Sequence, residues 1–307
     1  MLWLAILIAV LASQPARAQG PWLGPGTEHL PPDATVPYLP AVSPLICADG
    51  APTCFTELEA DLVARTDALG CDHDAVFGDA YLTITRALIE ATGTPAFFAR
   101  PDRITHEAKT YAQEYFDQYA RWHAGDAAAT SPSWRVALQA AEDESVTAMG
   151  DLLLQLNAHI RRDNPIRAVE QTEGVLRVPG PMPASSGKPD HEQVSVALAN
   201  AMDEMLDRLA SRYDPAIDDG HELFGTVLDG RGLYSLIAAW REESWRNGEQ
   251  LRHARAEAGV DGAPYRLKLR QIESSAEAGA YAILAATRTD PVANAARNAY
   301  CASTTAP

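Results

Sequence analysis

Residues 152–165 read LLLQLNAHIRRDNP. Leu152, Leu156, His159 and Asp163 recur at i, i+4, i+7 and i+11, so one face of a helix carries two leucines, then an imidazole, then a carboxylate. The stripe predicts a helix whose polar end points into the protein. A carboxylate taken out of water needs a counter-charge, hydrogen bonds or a metal, because uncompensated burial favours its neutral form. Two readings of the pair follow. His159 and Asp163, one turn apart, can hold one divalent ion together. Alternatively they hydrogen-bond to each other, with an arginine from another helix satisfying Asp163. Pro165 is expected to end this helix, since the residue before a proline is pushed out of helical space. Asp163 would then lie near a helix C-terminus, where the macrodipole disfavours an anion and a cation is expected beside it.

Outward from this stretch the chain reads as helix after helix. Thr56 with Glu59 forms a capping box, and helices are expected at roughly 56–69, 74–92, 102–124, 132–143 and 145–162. Pro101 precedes an Asp102 cap, Gly125 ends that helix, and Ser131-Pro132 supplies a cap followed by proline at the first helical position. The Pro/Gly-rich loop VPGPMPASSGKP (178–189) leads to further helices near 190–212, 232–257 and 264–288, with Asp190 and Gln193 capping the first. No alternating β-branched run bounded by turn residues occurs. The fold class is therefore all-α, a single multi-helix bundle over 56–302. Residues 19–55, rich in Pro and Gly, read as an extended arm laid over it, and 303–307 as a flexible tail.

The apolar run Leu2–Ala12 is too short to span a bilayer and is followed by Ala16-Arg17-Ala18, so residues 1–18 read as a signal peptide and the mature chain as secreted or periplasmic. Four cysteines, Cys47, Cys54, Cys71 and Cys301, suit an oxidising compartment. Three pairings are open, or the thiols stay reduced. One pairing closes a small loop between Cys47 and Cys54 and ties the body's start to its end through Cys71 and Cys301. The net charge of −16 becomes −17 once Arg17 leaves with the signal. Such a surface repels polyphosphate and anionic lipid, so general nucleic-acid binding is not expected. No stable membrane span is expected either.

Other polar positions could join the pair. In WREESWRNGEQLRH (240–253), Glu242, Trp245, Glu249 and His253 share a face and Arg241 adjoins it. Arg241 is the expected bidentate partner of Asp163. Glu249 and His253 repeat the carboxylate-imidazole spacing. Asp190-His191 is a helix cap or a further pair of ligands, and for Asp72-His73-Asp74 capping suffices. Asn157 aims at the same cleft or bonds a backbone carbonyl. Tyr81 lies on the stripe Phe77, Tyr81, Ile84, Leu88, as a core residue whose hydroxyl reaches towards the cleft.

The succession FGDAYLTITRALI, LLLQLNAHIRRDNPIRAV, DHEQVSVALANAMDEMLDRLASRYDP and WREESWRNGEQL resembles a family of uncharacterised, mainly bacterial helical proteins of unknown function over roughly 70–255. Positions matching that family's pattern are Tyr81, Asn157, His159, Asp163, Pro165, Asp190, Arg241 and Trp245. HIRRDNP alone is similar to a motif of the zinc-dependent phospholipase C and single-strand nuclease superfamily. That likeness implies zinc on His159 and Asp163. It stops at this motif: no second HxxxD follows, and Gln19 would stand where that superfamily has an N-terminal Trp.

Three functional readings result. In the first, a secreted metal-dependent hydrolase acts on a phosphoester or other ester. His159, Asp163, Asp190 and Glu249 hold a divalent metal such as zinc, and Asn157, Arg241 and Tyr81 surround the reacting bond. In the second, a non-catalytic helical module binds a small or lipid-like ligand with the pair as orienting groups. In the third the pair is purely structural. No Gly-x-Ser-x-Gly elbow, P-loop, dinucleotide fingerprint or HExxH supports another chemistry.

Overall fold

The computed structural model describes residues 30–39, 47, 53–172, 185–217, 221–223 and 226–304. The stretch read as a signal peptide, much of the stretch read as an arm and most of the 178–189 loop lie outside these residues. Nine α-helices are described: α1 (Thr53–Leu69), α2 (Asp74–Gly93), α3 (Pro101–His123), α4 (Pro132–Glu142), α5 (Ala148–Asn157), α6 (Lys188–Arg212), α7 (Gly230–Ala258), α8 (Ala263–Thr287) and α9 (Pro291–Thr304). The fold is all-α. Its described strands are β1 (His221–Leu223) and β2 (Thr226–Leu228), one short antiparallel ladder that the sequence reading did not foresee.

The caps show where local sequence rules held. Thr147 Oγ1 accepts from Gly150 N at 3.1 Å to start α5, and Asp229 Oδ1 accepts from Gly232 N at 2.8 Å to start α7. Gly125, at φ 77°, occupies the left-handed position just past α3 that favours glycine. Elsewhere packing moved the ends. α1 begins at Thr53, ahead of the expected capping box, and α6 begins at Lys188, so Asp190 sits inside its first turn. Ser131 makes no side-chain cap, and its backbone N–H donates to Gln118 Oε1 at 2.8 Å.

The largest departure is at Pro165. The helix does not stop there: from Ala158 to Thr172 it widens into a π-helical run with Pro165 inside it. Proline removes one backbone donor and crowds the preceding turn of an α-helix, and the wider i→i+5 turn accommodates that change. Tertiary packing holds the run in place, since α3 and α7 lie along it. Gly248 of α7 makes the close approach possible: a Cβ there would collide with Val169 and stand 3.1 Å from the Pro165 carbonyl.

The main core gathers α1, α2, α3, α4, α5, α6 and α7, with Ala280 and Ile283 of α8, around large buried side chains such as Phe77, Tyr115, Trp134 and Tyr234. A smaller cluster of Leu251, Tyr265 and Ile272 packs α8 on α7, with Ile166 against it. Asp79, fully buried on α2, pins α6 by accepting from Arg208 Nε at 2.6 Å and Arg212 Nη1 at 3.2 Å. Residues 30–39 run along α7, where Arg246 Nη2 donates to the Leu30 carbonyl and Arg252 Nη2 to the Pro37 carbonyl, 2.7 and 2.8 Å away. Cys47 is bonded to Cys54 and Cys71 to Cys301, which selects one of the three pairings.

α9 was not expected, and it reaches Thr304, inside the stretch read as a tail. Its buried face is Asn294, Arg297 and Cys301, not an apolar stripe, so periodicity gave no signal. The signal was Asp290-Pro291: Asp290 Oδ1 accepts from the N–H groups of Val292 and Ala293.

Near the Cys71–Cys301 bond, His73 Nδ1 meets Asp151 Oδ2 at 2.6 Å, both buried. Burial pushes the Asp151 carboxyl up to about 7, against the opposing pull of His73 and Arg297. An unfolded aspartate titrates near ~4, so the folded state holds a proton that the unfolded state has lost between ~4 and ~7. Stability from this group is therefore full below pH ~4 and declines as the pH rises through ~7. The total reaches about 4 kcal/mol at most, from ~1.36 kcal/mol per pKa unit. We expect Asp151→Asn to flatten the fall in urea midpoint between pH 5 and pH 8 relative to wild type. Equal slopes in the two proteins would refute the assignment.

Candidate functional site

α2 turns Phe77, Tyr81, Ile84 and Leu88 towards α3, α6 and α7, following the stripe read in the sequence. Between them lies a cavity of about 70 Å³. Its described lining is buried except for Ile84 and Tyr111, and most of it is hydrocarbon. The polar exceptions are Tyr81, Glu107, Tyr111, His159, Asn164 and Arg241, with Thr85 at the side.

His159 forms one wall, 3% exposed. Its ring stacks on Tyr111 with centroids 3.5 Å apart and meets Tyr81 edge-on at 4.9 Å. Tyr111 Oη donates to the His159 backbone carbonyl at 2.6 Å, fixing this wall from both ends. Burial holds the imidazole below its usual pKa despite the nearby Asp163, so the ring is neutral at neutral pH. Asp163 Oδ2 faces Nδ1 at 3.3 Å, which places the ring proton on Nδ1 and leaves Nε2 an acceptor. Nε2 is buried and has no hydrogen-bond partner among the described residues; the same holds for Tyr81 Oη and Asn164 Nδ2. Burial raises the Tyr81 phenol well above its ordinary pKa, so its hydroxyl keeps its proton.

Asp163 lies behind His159 in a network of donors. Trp134 Nε1 donates to Oδ2 at 2.9 Å and Arg162 Nη1 to Oδ1 at 2.8 Å. Arg162 also pairs with Glu114 and with Glu273, and Arg167 Nε donates to Glu114 Oε2 at 2.7 Å. Burial alone would raise Glu114, but the two arginines outweigh it and hold its carboxyl at about 2. The expected Asp163–Arg241 pair does not form. The cation comes from the adjoining residue of the same helix, because the widened run turns Arg162 inwards with Asp163.

Arg241 lies on the cavity's other side. Its Nε donates to Ser195 Oγ at 3.0 Å, and Nη2 donates to the His191 carbonyl at 2.7 Å with His191 Nδ1 at 3.2 Å. Burial and Arg241 push the His191 imidazole down to about 3, so it is neutral. Glu107 pairs with Arg103 at 3.2 Å. Burial opposes its ionisation, yet Arg103, His191 and Arg241 together keep it below the usual glutamate value.

The remaining sequence candidates are dispersed. Asn157 faces α8, where Nδ2 donates to the Ala276 carbonyl at 2.8 Å and Oδ1 accepts from Arg161. Asp190 accepts from the backbone N–H groups of Ala99 and Arg100 at 2.7 and 2.9 Å, ahead of α3. Glu249 accepts from Trp245 Nε1 at 2.8 Å and Arg246 at 2.7 Å, and binds the arm at Asp33 N. Among the described residues no group of three His, Cys, Asp or Glu side chains is placed to hold a metal ion. His159, Asp163, Asp190 and Glu249 thus do not form the single ligand set that the spacing suggested, because helix packing gave each carboxylate its own partners.

The sequence reading missed Glu107, Tyr111, Glu114, Trp134, Arg162 and Asn164. A signal existed on α3, where Arg103, Glu107, Tyr111 and Glu114 recur at i, i+4, i+8 and i+11, a polar row on a face that helix packing buries.

The fold and the cavity define an all-helical protein with an apolar interior pocket edged by a histidine, two tyrosines and an arginine. The chain belongs to a family of unknown function (DUF5995), whose model matches residues 56–286. No curated protein and no solved structure matches it.

Proposed function

We propose that this chain is an exported, non-catalytic helical module that binds a small, mainly apolar molecule in the cavity between α2, α3, α6 and α7. The observation that carries the reading is that three residues lining a mainly hydrocarbon cavity, His159, Tyr81 and Asn164, each carry a buried polar atom without a described partner: Nε2, Oη and Nδ2. Buried polar atoms are ordinarily hydrogen-bonded, and leaving one unmade costs about 1–3 kcal/mol. A ligand with an apolar body and a polar end would satisfy them, as is usual for small-molecule pockets. The two disulfides agree with export, since such bonds persist in oxidising compartments. No helix of the described residues is long and apolar enough to cross a membrane. Metal-dependent ester hydrolysis has less support: Asp163 directs its oxygens at Trp134, Arg162 and His159, and the other candidate ligands serve elsewhere.

The test is thermal unfolding with small six-carbon probes, neutral, acidic and basic. A probe at about a hundred times its Kd should stabilise wild type by ~2.7 kcal/mol. Ala108→Leu, which fills the cavity from α3, should remove that gain while the protein stays folded. If none of the probes raises the wild-type Tm, the binding reading fails.

A further inference from the structure

Arg241 is 5% exposed, and its guanidinium lines a cavity that is otherwise largely hydrocarbon. All its hydrogen bonds go to neutral acceptors: the Ser195 hydroxyl, the His191 carbonyl and the His191 ring. It forms no ion pair with a described residue. Glu107, the acidic group on the same wall, pairs with Arg103 at 3.2 Å and also attracts Arg241 through space without a direct bond, so one carboxylate is shared by two guanidinium groups. A buried cation is ordinarily matched by an anion, because desolvating it alone costs several kcal/mol. Arg162, in the same bundle, illustrates the usual arrangement with Asp163, Glu114 and Glu273 around it. Arg241 departs from it.

The neighbouring polar groups point to the same kind of ligand. Asn164 Nδ2 and the Tyr81 hydroxyl, on residues that line the same cavity, are hydrogen-bond donors without a described partner. Ser244 Oγ donates to Asn164 Oδ1 at 2.7 Å, which fixes the amide with its NH2 group turned the other way. A guanidinium, an amide NH2 and a phenol are donors that an acceptor-only group matches, while the acceptor-only atoms without a hydrogen-bond partner among the described lining are His159 Nε2 and Glu107 Oε2. A guanidinium meets a carboxylate in a bidentate fork. Phe77, Ile84, Leu88, Leu198 and Ile237 line the same cavity and offer only hydrocarbon.

We infer that the ligand of this cavity is a small aliphatic monocarboxylic acid, its carboxylate on Arg241 and its chain against α2, α6 and α7. The inference rests on the binding reading above and adds the chemical class. No bond is made or broken.

Calorimetric titration of the purified chain with hexanoate, hexan-1-ol and hexylamine at neutral pH tests it. A charge-assisted hydrogen-bonded pair is expected to favour hexanoate over hexan-1-ol by roughly 10- to 100-fold. In Arg241→Gln that preference should vanish while hexan-1-ol binding persists. In Arg241→Lys it should fall but remain, since the charge stays and the fork is lost. If Arg241→Gln does not fold, the wild-type ranking and Arg241→Lys still decide. Hexan-1-ol binding as tightly as hexanoate, or hexylamine binding best, would overturn the acid assignment and leave the binding reading standing. Binding of none of the three would remove both.

Discussion

Cys301→Ser should lower the stability of the folded chain by about 5 kcal/mol. The bond from Cys71 to Cys301 spans a sequence separation of 230 residues, and in the chain-entropy account the constraint removed from the unfolded state grows with the logarithm of the loop. The other bond, Cys47 to Cys54, spans a separation of 7 and should contribute about half as much by the same relation. The long bond also has a local role. It anchors α9, whose buried face is otherwise polar, next to the Arg297 side chain that donates to the Cys71 carbonyl. Urea titration of wild type, Cys301→Ser and Cys47→Ser, each with its partner cysteine also replaced, measures the costs. A larger loss from the short loop than from the long one would show that native-state contacts at Cys47, such as the bond from His106 Nδ1 to its carbonyl, outweigh loop entropy.

Asp163→Ala is expected to cost about 3–5 kcal/mol, the usual penalty for removing one member of a buried charged pair. It would leave Trp134 Nε1 without an acceptor, Arg162 short of a carboxylate and His159 free to change tautomer. His159→Ala should cost less, roughly 1–3 kcal/mol for the hydrogen bond. The two should be non-additive by about 0.5–3 kcal/mol, because they touch. The cycle is read from urea midpoints. Asp163→Ala within 1 kcal/mol of wild type would mean that the buried network is not what holds α4 to the π-helical run. Under the proposed binding, ligand titration separates the roles further: His159→Ala should weaken the neutral probe, since His159 lines the cavity and its Nε2 has no described partner, even where its stability cost is modest.

The contrast between these two residues shows how far the sequence could be read. Leu152, Leu156, His159 and Asp163 share an inward face as their spacing implied, and the Phe77, Tyr81, Ile84, Leu88 stripe lines the cavity. Such patterns are local: side-chain direction in a helix follows from residue number, so burial can be inferred without knowing the neighbour. Partner identity is not local. Arg241 was the natural counter-ion for Asp163 by chemistry, yet Asp163 lies behind His159 while Arg241 lines the cavity's other side, and Arg162, one residue away, takes the place. The reason is the π-helical run, whose wider turn rotates the residues after Asn157 relative to an α-helix. Its continuation past Pro165 depends on α3 and α7 packing along it.

The same division holds for the whole molecule. Periodicity, caps and the absence of strand patterns determined an all-α body, because each depends on contacts within a few residues. Four cysteines left three pairings open. Only the tertiary structure decided which cysteines pair, that Asn157, Asp190 and Glu249 serve three separate places, and that His159, Tyr81, Asn164 and Arg241 enclose one cavity. Those outcomes depend on the rotation and approach of helices far apart in the chain. Packing sets these through side chains such as Gly248 and Val169, whose meeting no short stretch of sequence encodes.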